Sequence, residues 1–172
     1  MQPDIPLADS LMPPLQFNEA DLIANRQGHL GDNQRQRLQG LQTRALLIGI
    51  LGFFGFALVA TIFLFFGSEN NLLIMTLIGI FITICNAIYV GMFARQYMRL
   101  RADLHSGEID VLEGQLERVV IPNGRMNNFL LRIKDEEFYV KKDLFKLFRH
   151  DVHYRFYRTI HSHVLLSAEP NP

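Results

Sequence analysis

Two long apolar runs dominate the chain, Ala45–Gly67 and Leu72–Ala94. Neither contains a charged side chain, and Ser68-Glu69-Asn70-Asn71 joins them. Each exceeds the ~20 residues a helix needs to cross a ~30 Å hydrocarbon layer at ~1.5 Å per residue. The pattern predicts a transmembrane helical hairpin over residues 45–94. Ahead of it the chain is polar and irregular. Prolines at positions 3, 6, 13 and 14 argue against a regular helix, so residues 1–17 read as a disordered leader. Asn18 suits an N-cap, Glu19 and Asp21 place negative charge in a first turn, and Gly28 suits a left-handed stop, which predicts a short helix over Glu19–Gln27. Asp32 can cap a second helix that starts at Asn33 and runs into the first span. Residues 18–44 thus read as short juxtamembrane helices packed at the approach to the anchor.

Beyond the second span, Tyr97, Leu100 and Leu104 continue a helical stripe to about His105, and Ser106-Gly107 ends it; residues 95–107 form a helical extension and linker. From Glu108 the period changes to two. Ile109 and Val111 alternate with Asp110, Gly114 breaks or bulges the run, and Gln115–Ile121 resumes it. Pro122-Asn123-Gly124 marks a turn, Asn128–Ile133 a strand, Lys134-Asp135-Glu136 a turn and Phe138–Val140 a strand. Asp143 caps a short helix over Leu144–Phe148. Val152–Arg158 alternates most cleanly, and a turn near Thr159–Ser162 leads to a last strand, His163–Ala168. Residues 108–169 therefore predict a small antiparallel β barrel of five to six strands with one short helix, SH3-like or OB-like, with an open antiparallel sheet as the fallback. The fold class is membrane α plus β. This order of parts resembles that of membrane-anchored accessory proteins with OB-like or PH-like domains; the likeness lies in the order alone, so no residue role follows from it.

Charge placement sets the orientation. Arg35, Arg37 and Arg44 precede the first span, Arg95, Arg99 and Arg101 follow the second, and the connecting loop has no Lys or Arg. The positive-inside rule then predicts a two-span protein with both termini cytoplasmic. The first apolar run begins behind a polar tail and is too long for a signal segment, so it is expected to stay as an anchor. The whole chain balances 17 basic against 17 acidic residues, which gives no electrostatic basis for nucleic-acid binding. Cys85, the single cysteine, lies inside the second span and excludes an intramolecular disulfide or a multi-thiolate zinc site.

Within the spans, Gly79, Thr83, Ala87 and Gly91 recur every fourth residue and suggest a narrow groove where another backbone can approach. Gly49, Gly52 and Gly55 form a similar stripe on the first span. The two spans packing on each other accounts for both stripes; docking of a second copy or of a membrane-protein partner is the functional reading. Asn86, the only strongly polar side chain at membrane depth, suits a bond across such an interface. A transport pathway calls for carboxylates, histidines or lysines there, and the spans have no acidic, histidine or lysine residue.

In the β domain, Lys141, Lys142, Lys146, Arg149, Arg155 and Arg158 outnumber Asp143 and Asp151 and interleave with aromatics. A solvated surface explains them first, contact with anionic lipid headgroups or an acidic partner second, and nucleic acid last. His150, His153, His161 and His163 cluster late in the chain. A final hairpin turning near Ile160 sets His163 opposite Tyr157 and His153 near Ser167, too far apart to share a metal ion, so neither metal nor cofactor is expected. There is no glycine-rich phosphate loop, nucleophile elbow or His-Glu-x-x-His, and Ser162 alternates away from its flanking histidines. The expectation is a non-enzymatic accessory or scaffold subunit, held in the bilayer, that presents a small β domain to a membrane complex or the membrane surface. An oligomeric pore or transporter component built from the hairpins is the alternative.

Overall fold

The computed structural model describes residues 7–123 and 126–171. They divide into two compact units. One comprises residues 38–104; the other combines 7–37 with 105–171, so it is built from both flanks of the apolar hairpin.

The first unit holds most of two long helices, α3 (Asp32–Glu69) and α4 (Leu73–Ser106). They run antiparallel, and small residues on one meet large residues on the other. Gly49 faces Phe93, Gly52 faces the Tyr89 ring, Gly79 faces Leu64, and Gly67 faces Thr76 beside the turn. The Tyr89 hydroxyl donates to the Ile48 carbonyl at 2.9 Å and its ring stacks on Phe93 at 4.5 Å. On α4 the inward positions Thr76, Gly79, Ile82, Asn86, Tyr89 and Phe93 recur every three or four residues, the spacing that keeps one seam facing a partner helix.

The second unit corrects the leader. Residues expected to be extended form α1 (Leu7–Leu15), with Pro13 and Pro14 in its last turn. Proline lacks the N–H for an i→i−4 bond, so this turn gives up two such bonds. Burial of Leu11 and Leu15, together with Phe17 just beyond the helix, outweighs that loss. The expectation for residues 1–6 lies outside the described residues. α2 (Glu19–Arg26) begins as its sequence predicts, with a reciprocal capping box: Asn18 Oδ1 accepts from the Asp21 amide at 2.7 Å, and Asp21 Oδ2 from the Asn18 amide at 3.1 Å. Gly28 takes a positive φ of 85° where the chain leaves the helix. These helices are part of the β domain, not a separate juxtamembrane element: Leu11, Leu15, Phe17 and Leu22 share one core with Leu116, Phe148, Tyr154 and Phe156.

The strands are β1 (Ile109–Asn123), β2 (Met126–Ile133), β3 (Glu136–Val140), β4 (His153–Thr159) and β5 (Leu165–Pro170), with α5 (Lys142–Leu147) between β3 and β4. They form one antiparallel sheet in the order β3-β2-β1-β4-β5. The expected barrel does not close. β1 splits its pairing, residues 109–115 with β4 and 116–123 with β2, and the sheet curls enough for Arg158 on β4 to reach Glu136 on β3 at 2.9 Å. β3 and β5 nevertheless do not pair; α1 packs against β5 and α5 and covers the apolar face instead.

Three local expectations change. Gly114 pairs with Tyr154 within an unbroken β1, so it neither breaks nor bulges the strand. The N-cap of α5 is Lys141, without a side-chain cap, and Asp143 lies in the first turn. The last hairpin turns later than its alternation suggests. Thr159 accepts the Val164 amide on its hydroxyl at 2.8 Å and donates its own amide to the Val164 carbonyl at 3.1 Å, while His163 adopts a φ of 54°. β5 therefore starts at Leu165, and His153 lies beside Asn171, whose amide it accepts at 2.9 Å, not beside Ser167.

Candidate functional site

The helix residues expected to form one groove do not stay together. A repeat of four advances by ~40° per step on a helix of 3.6 residues per turn, so the stripe winds off the face where it begins. Gly79 is buried against Leu64, while Thr83, Ala87 and Gly91 are exposed, and open space surrounds the Cβ position of Gly91. Asn86 lies in the seam and donates from Nδ2 to the Phe53 carbonyl at 3.4 Å; its buried Oδ1 has no hydrogen-bond partner. The one amide side chain of the two apolar runs thus bridges the two helices through Nδ2 alone.

The basic residues of the β domain also divide. Lys141, Lys142, Lys146 and Arg149 are exposed on or beside α5 and make no ion pair among the described residues. Arg155 pairs with Glu113 and Glu169, and Arg158, only 7% exposed, pairs with Asp110 at 2.8 Å and Glu136 at 2.9 Å. Of the six, the four left without an ion pair therefore cluster around one short helix. Arg118 adds a cation stacked 4.2 Å from the Phe145 ring centre.

The sheet also carries a cross-strand charge pattern that the sequence reading missed. Directly opposed positions alternate in sign: Glu137, Arg132 and Glu117 across β3-β2-β1, and Glu113, Arg155 and Glu169 across β1-β4-β5. Opposite charges at facing positions stabilise strand pairs. Arg26 of α2 caps the second row on Glu169, and buried Asn25 meets buried Ser167 at 2.6 Å, which together tie α2 to β5. The signal was present in residue identities but needed the register.

Glu169 is the focus of this network. Burial alone would raise its carboxyl, but hydrogen bonds from Arg26 and Tyr157, with the nearby Arg26 and Arg155 charges, hold it below the usual carboxylate range. Burial, reinforced by the 2.7 Å hydrogen bond to Glu169, pushes the Tyr157 phenol up to about 12. The signs set both pH limbs. Glu169 contributes stability above its unfolded value of ~4.3, lost as pH falls through its lower folded value. Tyr157 contributes stability below its unfolded value of ~10, lost as pH rises towards its folded value. Glu169→Gln should lower unfolding free energy by about 1.5–3 kcal/mol at neutral pH and flatten the acid limb, read from thermal melts across pH. An unchanged acid limb would assign it to other carboxylates.

The histidines do not assemble. His150 accepts the Arg118 amide on Nδ1 at 3.1 Å, His153, His161 and His163 are exposed, and among the described residues no group of three or more His, Cys, Asp or Glu side chains is arranged to hold a metal ion. Ser162 lies 2.8 Å from the Thr159 hydroxyl inside the turn. Set against protein-family models, curated proteins and solved structures, the chain matches none.

Proposed function

We propose that the chain is a membrane-anchored, non-enzymatic accessory subunit: a two-span hairpin inserted into a small cytoplasmic α/β domain that contacts a membrane complex. One observation carries this reading. The chain before the hairpin and the chain after it pack into a single core, so residues flanking both spans belong to one folded domain. Two spans between such flanks require both to lie on the same side of the bilayer, in agreement with the arginines at each approach. The helices are long and apolar enough to cross a membrane. Their apolar side chains face outward, Leu51 at 77%, Leu73 at 73% and Ile74 at 74% exposure, unlike the helices of a soluble core. The exposed basic residues around α5 suit an anionic headgroup layer or an acidic partner surface. A pore reading draws less support, because Asn86 lies in the seam between the two helices with Nδ2 on the Phe53 carbonyl.

A reporter fused after Pro172 should be active in the cytoplasm, and purification in mild detergent should recover a membrane-protein partner. Activity on the opposite side would overturn the topology; recovery of a lone monomer would overturn the accessory role.

A further inference from the structure

The sheet leaves one edge open. β3 pairs with β2 alone, whereas the opposite edge strand, β5, is packed by α1. An unpaired edge presents a row of backbone N–H and C=O groups that can template another strand, and proteins usually blunt it. Here Glu137–Lys141, five consecutive residues, line a cleft of about 670 Å³ whose far wall is the end of α1 and the turn into β5. Clefts of ~300–1,000 Å³ hold specific ligands, and the continuous run of strand edge along this one favours an extended chain over a compact molecule.

Arg37 also lines the cleft. Its guanidinium donates to the Leu15 carbonyl at 2.7 Å and the Leu165 carbonyl at 3.4 Å. Among the described residues no carboxylate pairs with it, and burial pulls its pKa down. A guanidinium has five N–H donors in a planar fork matched to a carboxylate, and two carbonyls do not neutralise its charge. The rim is mixed in sign: Glu137 is held by Arg132 at 2.8 Å, and Lys141 and Asp143 are exposed. A uniformly acidic segment is therefore disfavoured, and a single acid opposite Arg37 is favoured.

We propose that this cleft receives an extended segment of a partner protein, which adds as a strand to the free edge of β3 and sets one acidic side chain against Arg37. The inference rests on the accessory reading and names how the partner is held. Backbone pairing would supply affinity and Arg37 the selectivity, as in other strand-addition sites.

The test uses the full chain in detergent micelles and a pool of fluorescent seven-residue peptides of alternating valine and threonine, each with one aspartate. Matched pools replace the aspartate by asparagine, or N-methylate alternate backbone nitrogens. The aspartate pool should bind at least ~10-fold more tightly than the asparagine pool, N-methylation on one alternating set should abolish binding, and Arg37→Gln should erase the aspartate preference. If Arg37→Gln unfolds the domain by releasing Leu15 and Leu165, the two peptide comparisons on the unaltered protein decide. No binding up to about 1 mM, equal binding of the aspartate and asparagine pools, or indifference to N-methylation at every position overturns the proposal. So does an oligomer that Tyr139→Pro dissociates while peptides fail to compete, since the edge would then belong to a second copy. A partner retained after Tyr139→Pro sinks the cleft and leaves the accessory reading; a lone monomer that still binds aspartate peptides does the reverse.

Discussion

Replacing Leu11 and Leu15 together with alanine should strongly destabilise the β domain, although both residues precede the first long apolar helix and lie far from the strands in sequence. Leu11 is fully buried and Leu15 is 3% exposed, in the core that includes Leu116, Phe148, Tyr154 and Phe156. Each truncation of a buried leucine costs roughly 2–5 kcal/mol through lost burial and the cavity left behind. The sites are one helical turn apart and share neighbours, so their costs will not add simply. Even the lower sum takes a large part of the ~5–15 kcal/mol that stabilises a typical domain. Loss of α1 also uncovers β5. The measurement is limited proteolysis and near-ultraviolet circular dichroism of the full chain in detergent, with Met12→Ala as a milder comparison at a partly buried position of the same helix. A double variant that melted within a few degrees of the parent would show that α1 is an ornament on the sheet and would restore the extended leader that the prolines suggest.

The case of α1 shows where the sequence was legible and where it was not. Leu7, Leu11 and Leu15 recur every fourth residue, which is a helical signal. The expectation of an extended leader rests on the prolines and not on this repeat, because a local penalty is visible in a sequence and the tertiary burial that offsets it is not. The long helices were legible for the opposite reason: they are recognised by composition, which needs no knowledge of a partner. The N-cap at Asn18 and the left-handed stop at Gly28 are likewise local and are legible in the sequence; that Asp21 reaches back to the Asn18 amide to complete a capping box is not. Strand existence was clear from alternation, but register was not. The offset at β5 arises because the Thr159 hydroxyl and the left-handed His163 hold a longer turn than alternation alone implies. That offset also hid the facing of Arg155 with Glu169, and with it the separation of Arg155 and Arg158 from the basic residues around α5. Barrel closure failed as an expectation because it depends on whether β3 and β5 meet, and the sequence did not reveal that α1 would cover β5.

Gly52→Leu and Gly79→Leu should separate α3 from α4, whereas Ala87→Leu and Gly91→Leu should leave their packing intact. A Cβ at Gly52 would stand 2.3 Å from the Tyr89 ring, and one at Gly79 would stand 2.7 Å from Leu64 Cγ and 3.1 Å from the Leu64 backbone nitrogen. Tyr89 cannot turn aside without giving up its hydrogen bond to Ile48, and backbone at Leu64 cannot yield without moving the helix. Overpacking of this kind costs about 1–3 kcal/mol at each site. At Gly91 an added Cβ meets nothing within 4 Å. The two pairs therefore separate functions that one four-residue stripe had merged. Unfolding in a sodium dodecyl sulfate titration reports on the hairpin, and sedimentation in mild detergent reports on association with a second copy or another membrane protein. If Ala87→Leu and Gly91→Leu weaken association while the hairpin unfolds at the same detergent ratio, the outward face of α4 is a contact surface. If they change neither measurement, the small residues on that face serve no protein interface. A Gly52→Leu or Gly79→Leu hairpin as stable as the parent would contradict the interlocked seam itself, because Gly79 is backed by the Leu64 backbone and at Gly52 the Tyr89 ring yields only by giving up its bond to Ile48.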